Sequence, residues 1–238
     1  LFDPVFTLDE RWLELFCEEY QRQGIAKEFK FSAFSRIDNL NENKINLLGK
    51  ARCALLRVGI EAGSEYIRNE VYKKHILNEQ VRKFFKLARE NGIGFTAYYI
   101  LGGPGESRKT LEETLSLAME LDAERSAFFI YKPFTKDAVK QIREFNCQII
   151  EDRWRAADNI TFDAVVKLPD MTPRQIVWFQ RRAYFLTFGR RLLRILKRQK
   201  YRYFTWLISY MFRGLKLGLD FRYLLIYFHI YGYDNVDK

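Results

Sequence analysis

Through its first 150 residues the chain alternates short apolar runs with longer stretches of helical period, and that alternation limits the fold more than any single residue does. Phe95 to Leu101 is the clearest run, and Leu55 to Ile60 is apolar enough to be covered on both faces. Phe29 to Phe34 alternates, with Phe29, Phe31 and Ala33 on one side, and Ala127 to Tyr131 closes the series. Between the runs lie expected helices. Thr7 and Glu10 read as a capping box for a helix from Leu8 to Arg22 with Trp12, Leu15, Phe16 and Glu19 along one stripe. Asn41 to Cys53 places Ile45, Leu48 and Arg52 together. Asn78 to Asn91 buries Val81, Phe84, Phe85 and Ala88 ahead of Gly92, and Ser107 caps Arg108 to Leu121. Strands that alternate with helices pair in parallel through right-handed crossovers. The expected fold is α/β, either a partial barrel of parallel strands or an open sheet, and both gather their chemistry at the C-terminal ends of the strands. The Leu1–Asp3 stub reads as the end of a further strand, so the chain is expected to be a fragment.

Residues 151–238 have a different character. Of the net charge of +10, residues 1–150 carry almost none, with 23 Lys and Arg against 22 Asp and Glu, whereas residues 151–238 hold 17 against 8. Thr172 and Pro173 mark a helix start, and nine basic residues with no acid occupy Arg181 to Arg202. A helical, basic and aromatic extension separate from residues 1–150 is expected. Its alternation of Arg190, Arg191, Arg194, Lys197 and Arg198 with leucines and Ile195, followed by Trp206, Tyr210, Phe212, Tyr223, Tyr227 and Phe228, suits an anionic membrane surface. It equally suits a helix that packs its aromatics on the preceding domain and leaves its arginines in water. Nucleic acid is the weaker reading, because the charge follows no groove motif. No uncharged apolar window reaches membrane-spanning length, so the expected location is cytoplasmic, with peripheral contact at the membrane's inner face as an extension of that reading. Cys17, Cys53 and Cys147 lie far apart, which gives neither a disulfide framework nor metal-ligand spacing.

The strand ends carry the candidate chemistry. Asp3 ends the stub. Ser35, Arg36 and Asp38 follow the first full strand, Glu61 follows Ile60, and Gly102-Gly103-Pro104-Gly105-Glu106 follows Leu101. Singly, each has a plain structural explanation: Asp3 and Glu61 as helix caps, Arg36 as a partner of Asp38, the glycines as a tight turn. Together they place acids, a guanidinium and bare backbone at one rim.

These stretches resemble the radical S-adenosylmethionine superfamily, in its cobalamin-binding subgroup. Phe2-Asp3-Pro4-Val5-Phe6-Thr7 is similar to the family's Phe-x-Asp-Asp-x-Phe-Thr, with Pro4 in place of the second Asp. Ser35-Arg36-Ile37-Asp38 resembles its Arg-x-Asp, and Arg57 to Ser64 its Gly-Ile-Glu-Ser-Gly-Ser. Lys73-Lys74 matches a family lysine, and Tyr99 to Ser107 is similar to Gly-x-Pro-Gly-Glu-Thr. The resemblance covers roughly residues 1–135 and does not include the Cys-x-x-x-Cys-x-x-Cys loop.

The resemblance implies cofactors and roles. S-adenosylmethionine would bind a [4Fe-4S] cluster whose ligands lie outside this chain, and one electron from a donor would release a 5′-deoxyadenosyl radical that abstracts hydrogen from an unknown substrate. The basic tail suggests a lipid-like one. A cobalamin domain outside the chain is a further expectation. Asp3 would help hold the methionyl amino group, Arg36 the carboxylate, and Glu61 the ribose hydroxyls or the amino group. The backbone of Gly102, Gly103, Pro104 and Gly105 would approach the adenosyl moiety where side chains would obstruct it. Two other readings are an α/β barrel that binds phosphate at Gly102–Gly105 and a membrane-associated binding module.

Overall fold

The computed structural model describes residues 1, 3–150, 163–197 and 209. Among them, β1 (Phe31–Ser35), β2 (Cys53–Glu61), β3 (Gly94–Leu101) and β4 (Arg125–Ile130) form one sheet in chain order, with every neighbouring pair parallel. Each crossover steps one strand further in the same direction. That is the progression of a barrel sector, whereas a doubly wound sheet reverses at its middle. The crossovers carry α3 (Glu42–Lys50), α4 (Asn78–Glu90) and α5 (Arg108–Leu121), with α1 (Glu10–Arg22) and the short α2 (Ile25–Glu28) ahead of β1. After β4 come α6 (Lys136–Glu144), an antiparallel pair β5 (Gln148–Ile149) and β6 (Val166–Lys167), and the long α7 (Pro173–Lys197).

The core lies between the sheet and the helices. Leu56, Val58 and Ile60 of β2, Phe95 and Ala97 of β3 and Phe128 of β4 are fully buried, and Phe85 of α4 stacks on Phe95 at 3.9 Å between ring centroids. All three cysteines are buried and free, packed as small hydrophobes. Ser107 caps α5 as its sequence implies, and Gly92 takes φ +71° directly after α4.

Several local expectations are corrected. Asp9, not Thr7, caps α1, accepting from Trp12 N at 2.9 Å. Thr7 is buried and bonds Ser35 and the Asn39 amide oxygen, so it staples the chain entry to the end of β1. The buried side of α1 is Leu13 and Cys17, which leaves Trp12 and Leu15 exposed. Arg52 stands outside α3, at φ +61°, and donates to Ala26 and Lys27 carbonyls.

α7 begins with a reciprocal cap, Gln175 N to Thr172 Oγ1 and Thr172 N to Gln175 Oε1. It then lies along β4, the edge of the sheet. Gln180 Nε2 donates to Phe128 O at 2.8 Å, while the Tyr184 hydroxyl accepts from Phe128 N at 3.0 Å and bonds Phe128 O at 3.1 Å. Arg190 and Arg194 are drawn to the C-terminal end of α5. Arg190 donates to Met119 O, and Arg194 pairs with Asp122 and donates to Ala123 O, cations meeting the negative end of a helix. Up to Arg194 the basic stretch therefore packs on the preceding fold. Among the described residues no helix is long and apolar enough to cross a membrane. Arg198, Trp206, Tyr210, Phe212, Tyr223, Tyr227 and Phe228, on which the membrane-surface and lipid-substrate readings rest, lie outside the described residues.

Candidate cofactor site at the strand ends

Glu61 occupies the most unusual backbone position at the rim. It ends β2 with φ +65°, beside a register shift in the pairing with β3 between Gly59 and Glu61. Ala62 N donates to Ile60 O at 2.9 Å, which closes a three-residue turn around Glu61, and a non-glycine residue at such a turn is strained. The turn folds the carboxylate back over Gly59, where a Cβ would lie 2.2 Å from Glu61 Oε1. Gly59 is thus glycine because Glu61 occupies its side-chain space.

Glu61 belongs to a four-charge cluster. Its Oε1 lies 2.9 Å from Lys74 Nζ. Arg36 grips Asp38 through two parallel bonds, Nε to Oδ1 at 3.0 Å and Nη2 to Oδ2 at 2.6 Å. The pairs sense each other. Arg36 is raised chiefly by its bond to Asp38 and further by the charge of Glu61. Burial pushes the Asp38 carboxyl up, but the bond to Arg36, with the Lys74 charge adding to it, outweighs burial and leaves it below its usual value. Glu61 and Lys74 are mostly covered, with side chains 14% and 22% exposed, while Arg36 stands 46% open to solvent. Two cations and two anions at the end of a parallel sheet can exchange their partners for the ammonium and carboxylate of an amino acid.

The glycine loop works differently from its sequence reading. The space that side chains would occupy is filled by the protein: a Cβ on Gly102 would meet Ile176 at 2.8 Å, one on Gly103 the Tyr72 hydroxyl at 2.0 Å, and one on Gly105 the Phe145 ring at 2.8 Å. Gly102 and Gly105 also need positive φ, +81° and +75°. Packing and turn geometry demand these glycines. The amides of Gly102 and Gly103 donate to Glu106 Oε2, at 2.5 and 2.9 Å. That tells against the phosphate-loop reading, since the loop's anion-binding amides already hold a carboxylate.

Glu106, which closes the glycine-loop motif, has a partner at the site that the sequence does not indicate, Tyr72. Burial pushes the Glu106 carboxyl up to about 8, against the opposing pull of its two amide bonds. Burial also raises the Tyr72 hydroxyl well above its usual value, with the Glu106 charge adding to it. Glu106 Oε1 and the Tyr72 hydroxyl are buried polar atoms without a hydrogen-bond partner among the described residues. Tyr72 stacks beside Tyr131 at 6.5 Å. The signal available in sequence was the placement of Glu106 three and four residues after the glycines, within bonding reach of their amides.

Asp3 is turned to a local task, its Oδ1 accepting from Val5 N at 2.9 Å. No contact joins it to Glu61 or Arg36 among the described residues, so the structure brings together Arg36, Glu61 and the glycine loop but leaves Asp3 apart. The charge of Glu61 reaches Tyr72, which itself lies against Gly103, so β2 and β3 deliver their ends to one side of the fold.

Residues 6–118 match the Radical SAM superfamily. That stretch is 113 of the chain's 238 residues. Radical SAM proteins are enzymes that use S-adenosylmethionine and a [4Fe-4S] cluster. An uncharacterized methyltransferase of Pyrococcus horikoshii is 26% identical over 213 residues, which are 90% of this chain and 45% of that protein. An anaerobic magnesium-protoporphyrin IX monomethyl ester cyclase of Cereibacter sphaeroides is 25% identical over 136 residues, 56% of this chain and 22% of that protein. The chain spans less than half the length of either relative. Among solved structures, the radical S-adenosylmethionine methyltransferase TsrM of Kitasatospora setae, with cobalamin and a [4Fe-4S] cluster bound, aligns at TM-score 0.47 and 20% identity over 55% of this chain and 26% of that one. Coproporphyrinogen III oxidase of Escherichia coli aligns at 0.46 and 16% over 67% and 34%.

The cysteines of this chain do not suit the cluster of that family. Burial pushes the Cys17 thiol up to about 11 and the Cys53 thiol up to about 12, so they stay protonated, whereas cluster ligands are thiolates. Among the described residues no group of three or more metal-ligating side chains could hold a metal ion.

Proposed function

We propose that this chain is the part of a radical SAM enzyme that binds the methionyl end of S-adenosylmethionine, with the rim of Arg36, Asp38, Glu61 and Lys74 as the receptor. The observation that supports this reading is the self-neutralised cluster at the ends of β1 and β2. An arriving ammonium takes Glu61 from Lys74, and an arriving carboxylate takes Arg36 from Asp38, so no charge is left unmatched on either side. Tyr72 and Glu106 Oε1 offer two further polar atoms on the β3 side, fit for the hydroxyl or amino groups of a nucleoside. Gly102, Gly103, Pro104 and Gly105 then act as the packed shelf that sets Tyr72 in place. Asp3 joins the site only through a rearrangement of its turn.

When bound to its cluster, S-adenosylmethionine supplies a 5′-deoxyadenosyl radical, and the reducing electron comes from a donor protein. The residues of this chain orient the cofactor and shield the rim from water. The division into a barrel segment, residues 1–150, and a helical extension, residues 151–238, belongs to the same reading, with α7 docked on β4. The resemblance of the strand-end motifs to the cobalamin-binding subgroup makes cobalamin a second cofactor of the reading, and an anionic membrane surface attaches to residues 198–238 alone. Calorimetry of S-adenosylmethionine binding to the full-length protein tests the rim. Glu61→Ala and Arg36→Ala should each weaken binding about tenfold, the value of one charged hydrogen bond. Unchanged affinity in both removes the rim from the site.

A further inference from the structure

Arg68 is fully buried, and every hydrogen bond it makes among the described residues goes to a neutral acceptor. It sits in a π-helical turn, Ile67–Val71, that follows the Glu61 loop. Its Nε donates to Ile60 O at 3.1 Å and to Ala62 O at 3.0 Å, the two carbonyls that flank Glu61. Nη2 also reaches Ala62 O and the Asn78 side-chain oxygen, the latter at 2.6 Å, and Nη1 reaches Ile76 O at 3.3 Å. Burial lowers the guanidinium to about 10, with the charge of Glu65 opposing, so it stays protonated near neutrality. A buried guanidinium without a bonded carboxylate is costly, and an apolar residue of similar length would pack there at less expense. The fork has a geometric use that an apolar residue lacks: it spans both sides of the strained turn at once.

We infer that Arg68 is the positioning residue for Glu61, clamping the Ile60 and Ala62 carbonyls so that the turn stays closed and the carboxylate stays folded over Gly59 toward Lys74. This rests on the reading of Glu61 as a cofactor-binding group and adds to it the device that presents the group. Strain at a left-handed non-glycine residue persists only where its surroundings over-determine it, and Arg68 is what surrounds this one. Asn78 anchors the far side of the clamp. Its Nδ2 donates to Gly63 O at 2.9 Å while its oxygen takes Arg68, so the start of α4 and the loop after Glu61 are tied through one guanidinium.

Two measurements on the full-length protein test this, with Arg68→Lys as the main variant. Lysine keeps the charge and loses the fork. First, amide hydrogen exchange across Ile60–Ser64 should speed up in Arg68→Lys while β3 keeps its protection. Unchanged exchange at the loop overturns the clamp, whatever Glu61 does. Second, S-adenosylmethionine affinity is compared in Arg68→Lys, Glu61→Ala and the double variant. Each single variant should weaken binding roughly tenfold, and the double should be no weaker than Glu61→Ala, because Arg68 acts through Glu61. Losses that multiply in the double variant overturn the proposal, since a merely structural arginine behaves additively. Faster exchange with affinity unchanged in both single variants leaves the clamp standing and removes Glu61 from the cofactor site. Should Arg68→Lys not fold, Asn78→Ala removes one anchor of the guanidinium and should shift both readouts the same way by a smaller factor.

Discussion

Two carboxylates stand at the ends of neighbouring strands, and they have opposite fates. Glu61 is held out on a strained turn, paired with Lys74 and in electrical contact with Arg36. Glu106 is bent back into its own loop, wholly buried, its Oε2 taken by two backbone amides. The first is arranged to change partners, and the second to keep them. An acid at a strand's C-terminal end is therefore not by itself a site: the partners it faces decide whether it binds a ligand or builds the loop.

The contrast can be broken most severely at Glu106. Glu106→Ala strips the partner from the Gly102 and Gly103 amides and should destabilise the fold by about 3 kcal/mol in urea unfolding, because two buried donors are orphaned. Glu61→Ala should stay within about 1 kcal/mol, as expected for a partly solvated ion pair. Equal losses would erase the distinction. The same carboxylate carries a pH signature. Its folded value of about 8 lies above the ordinary carboxylate value of 4.5, so the folded state retains a proton that the unfolded chain gives up. Its contribution to stability is greatest below 4.5, falls as the pH rises toward 8 and is constant above that. Glu106→Gln should flatten that decline, as read from unfolding midpoints across the range. Tyr72→Phe sharpens the comparison from the β3 side. Removing a buried hydroxyl that has no hydrogen-bond partner among the described residues should leave stability unchanged or raise it by about 1 kcal/mol, while S-adenosylmethionine or substrate affinity falls. Lys74→Met makes the smallest change, well under 1 kcal/mol in stability, and affects cofactor affinity through the freed Glu61.

Much of the fold was legible in the residues. The runs at Leu55–Ile60 and Phe95–Leu101 and the Ser107 cap carry their assignments locally, because a buried parallel strand and a capped amphipathic helix each leave a pattern within ten to fifteen residues. The barrel progression needed coordinates, since strand order is set by crossovers. At the rim, the strand-end places of Glu61 and Arg36 were readable from the sequence. The purpose of the glycines was not: only three-dimensional packing reveals that Ile176, Tyr72 and Phe145, distant in sequence, claim the volume over Gly102, Gly103 and Gly105. Arg68 was invisible for the same reason, being a charged residue among helix-like neighbours whose acceptors are all carbonyls and one amide.

The hydroxyl of Tyr184 and the amide of Gln180 both end on the peptide groups of Phe128. A helix thereby takes the outward hydrogen-bonding positions that a fifth strand would need. A further strand would have to unseat α7 before it could join at β4, and at β1 it would meet the Ser32 and Phe34 carbonyls already taken by the nitrogens of Leu1 and Phe6.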